Sequence, residues 1–235
     1  MSNELTVFRS EDKYLLSYTQ AASLQAKLDS LLHRDDHSQN QGYIVRSLYF
    51  DSINNMDFST KLAGTELRKK IRLRIYNPND PVCKLEVKQK NGDLQHKVSL
   101  LVSKEDAQAL ANGDASVLTN YFSKSENAVY MYKTMMLGGY RPVALVEYDR
   151  IAYTFPQFST RLTLDSRVRS VEGSMDLFDP EPMFIPVLDQ QVILEVKYNQ
   201  KLMGFISQVL RPYHLTKTSV SKYCVGRKIF YDINY

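Results

Sequence analysis

Residues 69–78 read KKIRLRIYNP. Successive side chains of a strand point to opposite sides, so Lys70, Arg72, Arg74 and Tyr76 share one face and Ile71, Leu73 and Ile75 the other. The apolar face belongs in a core. The other carries three cations in a row with no acid between them, and what it meets decides both fold and function.

The same alternation recurs along the chain. Strands are predicted over about Leu5 to Leu15, GYIVRSLYFDS (42–52), VCKLEVKQK (82–90) and LQHKVSLLV (94–102). Three more are RPVALVEYDRIAY (141–153), TRLTLDSRVR (160–169) and QVILEVKY (191–198), which makes about eight with the opening stretch. Helices are predicted between them. Residues 19–33 place Leu24, Leu28, Leu31 and Leu32 at helical spacing. Ser103 is a fitting N-cap for residues 103–113, with acids in the first turn and Gly113 past the end. Residues 125–139 are punctuated alike, a fourth helix runs from Gln200 to Leu210, and a last begins near Thr218. Strands outnumber helices and follow one another through turns such as Asn91-Gly92, which favours an antiparallel sheet. The expectation is one α+β domain over residues 1–235.

Composition narrows the classes. A hydrophobic content of 43% over 235 residues supplies a core and excludes a disordered chain. The net charge of +4 is too small for a histone-like field, so anion binding has to come from local clustering. The N-terminus has no apolar run of a secretory signal and no stretch approaches a membrane span, so a cytoplasmic protein with no membrane segment of its own is expected. Cys83 and Cys224 match no metal spacing and read as reduced thiols. The four histidines, His33, His37, His96 and His214, have no ligand spacing. TELRKK (65–70) reads as a strand entry and not a nucleic-acid patch, and 172–187 as an ordered connection between strands.

Other polar faces repeat the opening pattern. Lys84, Glu86, Lys88 and Lys90 line up; so do Arg161, Thr163, Asp165 and Arg167; so do Glu195 and Lys197. Any one of these could be an ordinary solvated face. As a set they are less ordinary, because like charges on neighbouring strands repel. A sheet closed into a barrel would turn every such face to one lumen. There the cations would meet a highly charged ligand, a polyphosphate or a nucleoside triphosphate, and the few carboxylates a divalent metal. Glu11, Glu86 and Asp165 also read simply as internal partners of neighbouring cations.

The segments RSEDKYLL, SLYFDS, KIRLRIY, LEVKQK, EYDRIAY, TRLTLD, ILEVKY and SKYCVG stand in an order that resembles the VTC domain. That is the polyphosphate polymerase module of the vacuolar transporter chaperone complex, within the triphosphate tunnel metalloenzyme superfamily. The resemblance covers about residues 5 to 230. It implies a closed antiparallel β-barrel tunnel flanked by helices, which moves the γ-phosphate of ATP onto a polyphosphate chain with manganese or magnesium. By that resemblance Arg72, Arg74, Lys88, Arg150 and Arg161 are catalytic. Lys13, Lys97, Lys197, Ser221 and Lys222 contact phosphate, and Glu195 binds the metal. Ser219 stands where the family often has a lysine, with Lys217 two residues before it, and Val98 and Ser99 follow Lys97 where another basic residue is common. The same cage would suit a hydrolase of tripolyphosphate or nucleoside triphosphate, or a non-catalytic polyphosphate sensor. Export of a product would fall to a separate membrane partner.

Overall fold

The computed structural model describes residues 9–38, 41–92, 94–171 and 173–233. The predicted alternation becomes strands β1 (Arg9–Ser17), β2 (His33–Arg34), β3 (Tyr43–Asp51), β4 (Arg68–Ile75), β5 (Val82–Asn91), β6 (Leu94–Ser103), β7 (Arg141–Phe155), β8 (Thr160–Val171), β9 (Ile185–Pro186) and β10 (Gln191–Asn199). The helices are α1 (Tyr18–Leu31), α2 (Met56–Leu62), α3 (Lys104–Ala111), α4 (Glu126–Leu137), α5 (Gly204–Leu210) and α6 (Lys222–Ile233). The expected strand residues 5 to 8 lie outside the described residues. No helix among the described residues is long and apolar enough to cross a membrane.

The chain divides into two compact units. The first holds residues 1–44, 148–168 and 188–220, with the strand path β1-β10-β8 and the second half of β7. Tyr14, Leu16, Leu162, Leu164, Leu194 and Val196 bury one face of this sheet. Leu24 and Leu28 of α1 and Ile206 of α5 pack on it. Helix α1 starts at a capping box in which Ser17 and Gln20 each accept from the other's backbone N–H. Leu31 was expected on its apolar face and is instead 50% exposed, one position off the stripe.

The second unit holds residues 45–147, 169–187 and 221–235, with the first half of β7 and then β3-β4-β5-β6. Leu48, Ile71, Leu73, Leu85, Val87 and Val102 form its core face, covered by Leu110 of α3 and Met131 of α4. Ser103 caps α3 as expected, accepting from Asp106 N at 3.1 Å. Helix α6 lies close to β7 and β8 because residue 226 is glycine. A Cβ there would meet Ser170 Oγ at 2.9 Å and Val146 Cγ2 at 3.0 Å.

The strands form a large antiparallel sheet flanked by helices, and the expected closed barrel is not what their pairing makes. The hydrogen-bonded path ends at β1 and at β6, and among the described residues no ladder joins them. The reason is local at β1: its outer edge is taken by residues 217–218, through a bridge between Tyr14 and Lys217 and a bond from Thr218 N to Lys13 O at 2.8 Å. This extended segment also delays the last helix, expected near Thr218, to Lys222.

Sequence periodicity missed α2. Its N-terminus is capped from outside the helix by Asp51, wholly buried, whose carboxylate accepts from Asp57 N and Phe58 N at 2.9 Å each. A second buried carboxylate, Asp57, accepts from Tyr140 Oη at 3.0 Å. Burial and the charge of Asp51 push Asp57 up to about 6.

The 173–187 segment is an ordered connection, held by an ion triad that alternation did not reveal. Arg46 projects from β3 on the apolar face and meets Glu147 at 2.5 Å. Its guanidinium donates to the carbonyls of Leu177 (3.1 Å) and Asp179. Arg169 reaches the same carboxylate. The ring of Phe184 lies 5.6 Å from Arg46 and 5.1 Å from Arg169.

Candidate functional site

In the second unit the register assembles a lattice on the face opposite the core. Directly paired residues across an antiparallel ladder share a face. One row runs Ser47, Arg74, Lys84, Leu101; the next Tyr49, Arg72, Glu86, Ser99; the third Lys70, Lys88, Lys97. Seven positions of this lattice are basic or acidic, and one of them, Glu86, is acidic. The answer to the opening stretch is therefore partly internal: Glu86, 2% exposed, is ringed by Arg72 (2.8 Å), Lys97 (2.5 Å) and Arg74 (3.7 Å). Burial alone would raise its carboxyl, but Arg72, Arg74 and Lys97 together hold it well below the usual carboxylate range. Among the paired positions of this lattice Glu86 is the one acid, and the third row sets three lysines side by side.

The first turn of α6 closes on the same lattice. Lys70 Nζ donates to Ser221 Oγ at 3.1 Å, and the rings of Tyr49 and Tyr223 stack at 5.1 Å. Arg72, Arg74, Lys88, Lys97 and Ser221 thus stand together in this unit, with Lys222 half-buried at the start of α6. Sequence reasoning passed over Lys70, Lys84, Ser47 and Tyr49 as site residues, although Lys70 lay in the opening row of cations.

Lys13, Arg150, Arg161, Glu195 and Lys197 belong to the first unit. There Lys13 pairs across the ladder with Glu195 and Glu195 with Thr163, while Glu11 pairs with Lys197 and Lys197 with Arg161. This face too is withdrawn from solvent: Asp165, Thr163 and Glu195 are 0%, 2% and 6% exposed. Arg150 forks onto Asp165 at 2.6 and 2.7 Å. Burial works against its charge, but Asp165 outweighs this and raises it well above the ordinary arginine value. Arg161 donates to Asp35 at 2.7 Å and to Tyr43 Oη at 3.2 Å. Lys197 binds Glu195 and stands 4.0 Å from Glu11, which also takes Lys13 at 3.2 Å.

A family model described as the VTC domain matches residues 8–231. The chain belongs to the VTC domain family. Among solved structures, this VTC domain is similar to a candidate adenylate cyclase from Bacillus halodurans, with 12% identity over 91% of this chain and 95% of that one and a TM-score of 0.51. Another, from Vibrio parahaemolyticus, has 13% identity over 93% of this chain and 97% of that one, with a TM-score of 0.50. At such identity the likeness shows the fold alone. No curated protein matches significantly.

Lys217 of the VTC domain, two residues before Ser219, is engaged elsewhere on β1. Its ammonium pairs with Asp12 at 2.9 Å. Asp12 alternates with Glu11 and Lys13, so that pair lies on the opposite side of β1 from them.

Tyr49 is the group through which the cationic lattice would respond to pH. Burial would raise its phenol, but Arg72, Lys70 and Arg74 outweigh burial and bring it down to about 8. Ionisation above that pH adds a negative charge beside Arg72, whose Nη1 lies 3.4 Å from the phenol oxygen. If the lattice binds a phosphate anion, that binding should be strongest below pH 8 and weaken as pH rises through it. In Tyr49→Phe that fall should disappear. Titration of tripolyphosphate affinity from pH 7 to 9 in both proteins checks this, and an identical fall in both would remove Tyr49 from the account.

Proposed function

We propose that this VTC domain is a metal-dependent phosphotransferase that moves the γ-phosphate of ATP onto a polyphosphate chain. The carrying observation is the lattice of the second unit, six cations around one buried carboxylate. Phosphoryl transfer asks little covalent work of the protein; it needs the equatorial oxygens neutralised and the attacking and leaving oxygens held in line. Arg72 and Arg74 offer planar forks for non-bridging oxygens, and Lys70, Lys84, Lys88 and Lys97 offer point charges. Because the face is partly buried, these charges act in a low dielectric and are already in place when the transferred group becomes most charged. Ser221, bonded to Lys70, holds that ammonium in position and adds a hydroxyl.

Glu195 is assigned to the metal, with Glu11 on the neighbouring strand. Among the described residues there is no group of three histidine, cysteine or acidic side chains that could cage an ion. The donors present fit a hard cation held by one or two carboxylates that takes the rest of its shell from phosphate oxygens and water, as magnesium does. Such an ion would supply charge stabilisation to phosphate oxygens when bound. Lys197, now on Glu195, would then turn to phosphate together with Lys13. Arg150 and Arg161 are assigned to phosphate by the family pattern, each sharing its guanidinium with an acid.

The test is product analysis after incubation with ATP and manganese. Long, acid-labile phosphate chains are expected. Free phosphate in their place would make the protein a hydrolase of the same superfamily, and neither product would reduce it to an anion-binding domain.

A further inference from the structure

Among the described residues, two donors on the cationic lattice lack an acceptor. Ser47 Oγ on β3 and Arg74 Nε on β4 are buried, and among the described residues neither has a hydrogen-bond partner. The two residues are directly paired in the β3–β4 register. Their Cβ atoms therefore sit on one face about 4.5–5.5 Å apart, within reach of a common third atom. Ser47 is wholly buried. Arg74 has its nearest acid, Glu86, at 3.7 Å from Nη1, too far for a hydrogen bond. Buried polar groups are nearly always satisfied, and a donor left without an acceptor is costly. Two such donors on opposed residues call for one acceptor with more than one lone pair. Lys84 on the other side of Arg74, and Arg72 and Lys70 along β4, favour an acceptor that carries negative charge.

We propose that Ser47 is a specificity-determining residue which, with Arg74 Nε, seats one non-bridging oxygen of a phosphoryl group. The proposal rests on reading this lattice as phosphate-binding and adds a hydroxyl that the family pattern does not supply. A lysine at position 74 would keep the charge and lose the seat, since the ammonium cannot present a donor at the Nε position.

Calorimetric titration of inorganic tripolyphosphate without metal into wild type, Ser47→Ala, Arg74→Lys and the double variant tests it. Ser47→Ala should weaken binding about ten-fold or more, the scale of a hydrogen bond to a charged group. Its ligand-free melting temperature should stay level or rise, because the hydroxyl removed has no partner. The double variant should lose less than the product of the two single losses, as for groups that share one oxygen. Wild-type affinity in Ser47→Ala would overturn the seat while leaving the phosphate-binding reading intact. A ligand-free melting temperature that falls with unchanged stabilisation by tripolyphosphate would assign Ser47 to structure and also overturn it. Failure of the wild type to bind tripolyphosphate would remove the reading itself and the seat with it.

Discussion

Glu147→Ala should cost about 3–5 kcal/mol of stability, the scale of breaking a buried ion pair and leaving its partner charged in the interior. Arg46 is 5% exposed, and the substitution would leave it with carbonyl acceptors but no acid. Arg169, the other arm of the triad, is partly exposed and can return to water. Against a total of 5–15 kcal/mol for an ordinary domain, the loss is large. Urea denaturation should show a lowered midpoint, and the 173–187 connection, held through Arg46, should become open to limited proteolysis. Glu147→Gln, which keeps an acceptor in the same place, should lose less. A loss below about 1 kcal/mol for the alanine variant would mean that Arg46 is satisfied by the carbonyls alone.

The second large effect separates the two faces. Glu195→Gln keeps shape and removes the charge assigned to metal, so turnover should be abolished while tripolyphosphate affinity without metal is retained. Arg74→Ala should instead lose about 1.5–3 kcal/mol of that affinity, roughly ten- to a hundred-fold. Arg72→Lys should also weaken it, because a point charge replaces a fork that now spans to Glu86. The contrast is read by measuring affinity with and without manganese for each variant. Equal losses for Glu195→Gln and Arg74→Ala in the absence of metal would refute the division of roles.

Much of the fold was legible because each long strand turns one apolar face to a core. In β4 the alternation of Ile71, Leu73 and Ile75 with Lys70, Arg72 and Arg74 gave the core side and the polar side without knowledge of any neighbour. What one strand cannot give is register. That Lys70, Lys88 and Lys97 fall in one row, or that Glu86 stands among Arg72, Arg74 and Lys97, follows from turns and ladders that set strands against each other. Ser47 looked inert for the same reason, since its meaning depends on Arg74 being opposite. Closure was over-read: repeated charge on several strands argued for a shared lumen, whereas the edge of β1 is occupied by residues 217–218. Helix α2 escaped because its cap, Asp51, lies five residues before its first residue and on the preceding strand. Arg46 escaped because alternation places it on the apolar side, where its acid, Glu147, comes from a hundred residues away.

The central claim, that the cationic faces of this VTC domain are built for a phosphate chain, is most directly tested by thermal unfolding with and without tripolyphosphate. A face that crowds like charges is self-repelling without its ligand. An anion that binds the native state alone must raise the melting temperature, and at about a hundred times its Kd the added stability is about 2.7 kcal/mol. Tripolyphosphate should raise the melting temperature clearly, and sulfate at equal ionic strength should raise it less. A melting temperature indifferent to tripolyphosphate would contradict the claim and leave these faces as ordinary polar surfaces.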